Sequence, residues 1–204
     1  MDLFPIFLKL EGRRSLVVGA GAIGEEKIGG LLRGGAEVHV VAPQATPQVR
    51  GWARAGKILW DVRAFRPADL IGAFLVVAAT SCPALHKKIH REARRRGVLC
   101  NIVDDPAHCD FYYPSVVRSG RLQIAISTSG QSPALAQRLR KELKSVFGPE
   151  YGAWLVELGK KREKLRSVNI PPERRRKLLH RLASQRAFEE FLRRWKEKSA
   201  RRRH

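Results

Sequence analysis

A glycine-rich motif near the N-terminus has the residue types and spacing of a dinucleotide site. Residues 19–24 read Gly-Ala-Gly-Ala-Ile-Gly, a complete GxGxxG that directly follows a β-branched run at 15–18 and precedes apolar residues at helical spacing. Glycine at Gly19 and Gly21 permits a tight turn, and a helix that starts there can receive a pyrophosphate at its N-terminus. The motif predicts a dinucleotide site, with a glycine turn that binds no ligand as the alternative.

Polar side chains follow two further apolar runs. Thr80 comes directly after residues 73–79, and Asp104 and Asp105 come directly after residues 98–103. Ligands of parallel sheets bind at the carboxyl ends of the strands, so Thr80 is a candidate cofactor contact and the carboxylates are candidates for proton transfer or metal binding. If the strand continues, Asp105 points away from Asp104. A helix cap and an Asx turn are the alternatives.

A hydroxyl-rich segment occurs further along the chain. Ser127, Thr128 and Ser129 stand shortly before Ser132 and Pro133, which have the pattern of an N-cap followed by a first-turn proline. Hydroxyl groups before a helix N-terminus can bind carboxylates, so these three residues are candidate substrate contacts. A loop that only caps the helix is the alternative.

The second predicted strand, residues 37–41, is expected to end at Pro43. Dinucleotide folds commonly carry an acidic residue at this point, which binds the ribose hydroxyls of NAD. Residues 41–44 contain neither an acidic residue nor an arginine. Gln44 and backbone groups could replace the carboxylate, so the residues leave the choice between NAD and NADP open.

The order of the elements predicts an α/β protein with three parts. Strand and helix patterns alternate up to about residue 106, which indicates a Rossmann-like parallel sheet. Two β runs and a helix with an apolar stripe follow, and then charged helical sequence. We therefore predict an NAD-binding domain over 1–110, a β-hairpin-plus-helix dimerisation module over 111–147, and a small, basic, all-helical domain over 148–204.

Composition excludes several classes of protein. The 204 residues are 44% hydrophobic, which excludes a wholly disordered chain. No apolar run approaches a membrane span and the N-terminus lacks the pattern of a signal peptide. The three cysteines form no CxxC pair, which predicts free thiols in the cytoplasm. The net charge of +21 predicts an anionic partner, and residues 146–204 alone hold 18 Lys and Arg against 7 Asp and Glu.

Several strings, in chain order from residue 1 to about 147, resemble the siroheme synthase dehydrogenase module, the precorrin-2 dehydrogenase family. These strings are residues 1–7, 19–23 with Lys27, 78–80, 100–104, 114–115 and 126–136. The C-terminal part resembles the family only in being helical and basic.

The resemblance implies oxidation of precorrin-2 to sirohydrochlorin with NAD⁺ as hydride acceptor, and in some members iron insertion. It implies cofactor contacts at Ala22, Ile23, Pro43 and Gln44, and a catalytic aspartate at Asp104. The missing acidic residue after the second strand is usual in the family.

The resemblance also implies partners. Precorrin-2 is an anionic tetrapyrrole with many carboxylates, which gives the positive charge of the chain a physical reason. The family forms homodimers through the module predicted at 111–147. Fused relatives carry a uroporphyrinogen methyltransferase domain downstream. Since no such domain follows here, we expect a separate methyltransferase upstream in the pathway.

An alternative from another class is a dinucleotide-sensing regulator whose basic tail binds nucleic acid. Such a tail would need exposed aromatic side chains for base stacking or a helix-turn-helix. Phe188, Phe191 and Trp195 instead have the spacing of a small helical core. Nucleic acid and membrane are therefore not expected as partners.

Overall fold

The computed structural model describes residues 3–201. Its contacts divide the chain into two compact units, one of residues 4–113 and one that holds residues 114–201. Within the described chain, no helix is both long enough and apolar enough to cross a membrane.

The first unit is a five-stranded parallel sheet flanked by helices, which confirms the predicted Rossmann-like class. Its elements are β1 (Arg14–Ala20), α1 (Ala22–Arg33), β2 (Glu37–Ala45), α2 (Pro47–Arg54), β3 (Leu59–Asp61), β4 (Leu75–Ala78), α3 (Pro83–Arg95) and β5 (Leu99–Ile102). The strand order is β3-β2-β1-β4-β5. The order reverses between β1 and β4, and ligands of such sheets bind at the carboxyl ends of the strands beside this reversal.

The sheet is covered on both faces, which explains its continuous apolar runs. Along β1, Leu16 and Val18 belong to one buried cluster, with Ile89 of α3. Val17 points the opposite way into a second cluster, with Ile28 of α1. Since successive side chains of a strand alternate faces, a strand buried on both sides needs an apolar residue at every position.

The predicted end of the second strand at Pro43 is wrong. β2 continues to Ala45, because Val18 pairs with Val41 and Ala20 pairs with Ala45, so the register shifts between them. Pro43 lies in this irregular stretch, and β3 pairs with β2 only up to Val41. A proline is tolerated where the hydrogen-bond ladder is already interrupted.

The second unit begins with an antiparallel hairpin and continues with helices. Its elements are β6 (Ser115–Ser119), β7 (Leu122–Ile126), α4 (Pro133–Val146), α5 (Pro149–Ser167), α6 (Pro172–Leu182) and α7 (Gln185–Arg201). The hairpin turn is Gly120-Arg121, and Gly120 has the positive φ that such a tight turn requires. The boundaries predicted at residues 110 and 147 stay predictions.

Aromatic side chains form the core between α5 and α7. Phe188 and Phe191 are buried. The ring of Phe188 stacks on Tyr151 at a centroid distance of 4.3 Å and lies 4.9 Å from the ring of Trp154. Sequence periodicity identified Phe188 and Phe191 but missed the two partners on α5.

Candidate cofactor and active site

Two glycines of the GxGxxG motif are required by the packing of the protein itself. Gly19 has a φ of +99°, and a Cβ there would collide with the carbonyl oxygen of Ala79. A Cβ at Gly24 would collide with the carbonyl oxygen of Gly19. Both glycines therefore let β1, α1 and the end of β4 approach each other closely.

Gly21 differs from them because nothing in the protein requires a glycine there. It is the N-cap of α1, with φ −73° and ψ −170°, a conformation open to any residue. An added Cβ would meet no atom within 4 Å. No acceptor among the described residues bonds the N–H groups of Ala22 and Ile23. The open space and the free donors fit a pyrophosphate at this helix N-terminus.

The other predicted cofactor contacts lie at the same sheet edge. The pairing of Ala20 with Ala45 brings the exposed Pro43 and Gln44 beside the glycine loop. Ile23, in the first turn of α1, is 47% exposed although it is apolar. An exposed apolar side chain beside a helix N-terminus can contact the ring or ribose of a dinucleotide.

Thr80 also lies at this edge, as predicted. A Cβ at Gly19 would lie 3.0 Å from Cγ2 of Thr80, so the two residues are neighbours. Oγ1 of Thr80 is 2.9 Å from Nε2 of His86, which fixes the rotamer of the threonine. The alternative of a helix cap at Thr80 is wrong, because the N-cap of α3 is Cys82, which makes no side-chain hydrogen bond.

Asp104 lies just beyond the carboxyl end of β5. The strand ends at Ile102, and Asp104 has a φ of +61°. This left-handed conformation is one that Asp and Asn adopt more readily than most residues. Because the chain has left strand geometry, the expectation that Asp105 points away from Asp104 by strand alternation loses its basis. The carboxylate of Asp104 is exposed.

The loop after Asp104 is held by its own side chains. Asp105 Oδ2 lies 2.7 Å from Nδ1 of His108. Sγ of Cys109 accepts a hydrogen bond from the backbone N–H of Ile102 and lies 3.2 Å from its carbonyl oxygen. Burial raises the pKa of the Cys109 thiol, so the thiol stays protonated and serves the loop as a structural group. These contacts fix the backbone on which Asp104 is carried.

The predicted substrate contacts belong to the second unit. Ser127 Oγ accepts a hydrogen bond from the N–H of Ser129, and Thr128 Oγ1 accepts one from the N–H of Ser132. The cap of α4 is Ser132, whose Oγ accepts from the N–H of Leu135. The segment 127–129 is thus a self-bonded loop before a capped helix.

Arg50 lies outside residues 41–44, the segment in which the sequence offered no arginine. It stands in the first turn of α2, five residues after the end of β2. Nη1 of Arg50 donates a hydrogen bond of 2.7 Å to the carbonyl oxygen of Ala45, the last residue of β2. The signal in the sequence was the short spacing between the end of β2 at Ala45 and the start of α2 at Pro47, which keeps an arginine of the first helical turn close to the strand end.

Family models match both units. Residues 6–115, more than half of the chain, match the NAD(P)-binding family. Residues 119–145 match the central domain of sirohaem biosynthesis proteins.

Individual relatives agree with these matches. The chain is 38% identical over 166 residues to a siroheme synthase of Photorhabdus laumondii. This alignment covers 81% of this chain and 35% of the relative. It is 41% identical over 180 residues to a siroheme synthase of Neisseria meningitidis serogroup B. That alignment covers 86% of this chain and 37% of the relative. The chain thus spans little more than a third of the length of these relatives. The solved structure of SirC, precorrin-2 dehydrogenase, matches with a TM-score of 0.78 and 28% identity, over 96% of this chain and 100% of that one.

Proposed function

We propose that this chain, which belongs to the NAD(P)-binding family and is similar to siroheme synthases, is an NAD⁺-dependent precorrin-2 dehydrogenase, which oxidises precorrin-2 to sirohydrochlorin. The observation that carries this proposal is the open space beside Gly21 at the N-terminus of α1. The fold tolerates a side chain there, but the space before α1 is left open for a pyrophosphate. NAD⁺, when bound, supplies the hydride acceptor. The proposed cofactor contacts are Gly19, Gly21, Ala22, Ile23, Pro43, Gln44 and Thr80.

The proposed substrate is an anionic tetrapyrrole. Its many carboxylates suit a chain of net charge +21. Oxidation of precorrin-2 removes a hydride and a proton, and we assign the handling of that proton to Asp104. Ser127, Thr128 and Ser129 are the proposed contacts to substrate carboxylates. A uroporphyrinogen methyltransferase that supplies precorrin-2, and a location in the cytoplasm that suits the free cysteines, belong to the same proposal.

The helical part does not support base stacking by the alternative, a nucleic-acid-binding regulator. Its aromatic side chains Phe188 and Phe191 are buried, each with 7% exposure, and a buried ring cannot stack on a base.

The test of the function is an anaerobic absorbance trace of the purified protein with precorrin-2 and NAD⁺. We expect NADH and sirohydrochlorin to appear together and in equal amounts, because one hydride leaves the substrate for each molecule oxidised. A reaction without NAD⁺ should stay flat. A protein that binds NAD⁺ but leaves precorrin-2 unchanged would contradict the proposal.

We also propose a homodimer through the hairpin and α4. Among the described residues β6 and β7 pair only with each other, so their outer edges are open. Leu135 and Val146 on α4 are 38% and 56% exposed. The hairpin packs on α4 and also on α5, where the N–H of Gly152 donates to Oγ of Ser119, yet the apolar side chains on α4 stay exposed. Apolar side chains exposed on one helix face are typical of an interface between copies of a chain.

Sedimentation equilibrium at micromolar concentration should therefore show a dimer. Leu135→Glu should shift the protein toward monomer, because it places a charge on the apolar face. Gln137→Glu, at an exposed polar position of the same helix, is the matched control and should leave the dimer intact. A monomeric wild-type protein would rule the dimer out.

A further inference from the structure

The residues around the end of β2 contribute to the choice between NAD and NADP in a site of this type. In NAD-specific folds a carboxylate there binds the ribose 2′-hydroxyl and repels a 2′-phosphate, whereas an arginine nearby accommodates the 2′-phosphate of NADP. Here β2 ends in Pro43-Gln44-Ala45, and residues 38–60 contain no Asp or Glu. The next residue, Asp61, pairs with Val41 in the sheet, and its carboxylate is already engaged by Arg63 and His39.

Positive charge takes the place of the carboxylate. The segment 38–60 carries Arg50, Arg54 and Lys57. Arg50 is exposed, and its Nη1 donates to the carbonyl oxygen of Ala45 at 2.7 Å. This single bond anchors the guanidinium at the end of β2. None of the ion pairs among the described side chains includes Arg50, so its charge is uncompensated there.

The anchored guanidinium has capacity left for a ligand. An arginine carries five N–H donors in a planar fork that matches the oxygens of a phosphate. Thr46, between β2 and α2, uses its own hydroxyl to cap α2 through the N–H of Val49. This cap holds the junction between β2 and α2. Arg50 lies beside that junction, at the sheet edge that also holds the glycine loop.

We propose that this site accepts NADP⁺ as well as NAD⁺, with Arg50 as the residue that binds the 2′-phosphate. The inference rests on the dinucleotide site of the proposed function and deepens it. It concerns binding, so it is tested without tetrapyrrole substrate and without turnover.

The experiment is isothermal titration of the full chain with NAD⁺ and with NADP⁺. We expect the two dissociation constants to agree within about 10-fold. NADP⁺ lacks the ribose 2′-hydroxyl of NAD⁺, but its 2′-phosphate gains a charge-assisted contact with Arg50. Arg50→Ala should weaken NADP⁺ by about 10-fold or more and leave NAD⁺ within about 2-fold of wild type. Added salt should weaken NADP⁺ more steeply than NAD⁺.

A matched control stands on the same helix. Arg54 is one helical turn away from Arg50 and is also exposed. Arg54→Ala removes the same charge from α2 and should change neither dissociation constant by more than about 2-fold, since long-range attraction between exposed charges is screened. The fragment 2′,5′-ADP carries the 2′-phosphate but no nicotinamide, and ADP lacks both. Arg50→Ala should therefore weaken the binding of 2′,5′-ADP and leave the binding of ADP nearly unchanged.

Four results would overturn the inference. Wild-type protein that binds NADP⁺ about 100-fold more weakly than NAD⁺ would show that the 2′-phosphate is rejected. If Arg50→Ala weakened the binding of both dinucleotides equally, the role of Arg50 would be structural. If it weakened the binding of neither, Arg50 would have no role in dinucleotide binding. If neither dinucleotide binds, the cofactor site of the proposed function fails, and this inference fails with it.

Discussion

Replacing Asp104 by alanine or asparagine should lower precorrin-2 turnover by about 10²-fold or more, the usual contribution of a positioned acid or base. The reaction releases a proton, and Asp104 presents an exposed carboxylate at the end of β5, on the sheet edge that carries the glycine loop. NAD⁺ affinity should stay within about 2-fold of wild type, because the pyrophosphate is held by the N-terminus of α1.

Asparagine is the sharper of the two substitutions. Asp104 has a φ of +61°, and asparagine tolerates this left-handed conformation whereas alanine is strained in it. Asn therefore removes the charge and keeps the loop. Steady-state kinetics and an NAD⁺ titration of both variants make the measurement.

Asp105→Ala is the neighbouring control and should reduce turnover much less. Its carboxylate lies against Nδ1 of His108 at 2.7 Å and is thus already engaged. Near-normal turnover of Asp104→Asn would reduce Asp104 to a turn residue at the end of the strand.

Gly21→Asp should weaken NAD⁺ by about 10-fold or more while the protein stays folded. The new carboxylate would occupy the open space before α1, where the pyrophosphate brings its own negative charge. The fold should not suffer, because the φ and ψ of Gly21 suit any residue and a Cβ there meets nothing within 4 Å. Aspartate is also a favoured N-cap, so the melting temperature should be unchanged or higher.

Opposite effects on stability and on binding make this variant informative. Gly21→Ala separates size from charge, and should bind NAD⁺ more tightly than the aspartate variant. Gly19→Ala is the contrasting case, because its Cβ would collide with Ala79 and destabilise the protein itself. Unchanged NAD⁺ affinity in Gly21→Asp would mean that the cofactor is held elsewhere.

The sequence alone was sufficient for the class of fold and for the sheet edge at which the candidate residues lie. The apolar runs of β1 and β4 and the helical spacing of α1 are local patterns, and local patterns follow from the geometry of one strand or one helix. The strict alternation of the two then implies a parallel sheet, because only a crossover connection joins parallel neighbours. The glycine motif between β1 and α1 therefore located the carboxyl edge, and Thr80 and Asp104 followed from the ends of neighbouring strands.

The tertiary structure decided what each residue at that edge is free to do. Gly19 is fixed by Ala79, which is distant in the sequence, and Gly24 is fixed by Gly19, whereas Gly21 faces open space. Asp104 leaves the strand in a left-handed turn, and Arg50 reaches the end of β2 from the next helix. The approach of Gly19 to Ala79 joins separate elements, and such a contact exists only once the chain has folded. The turn at Asp104 and the bond of Arg50 are local conformations that the sequence pattern left open.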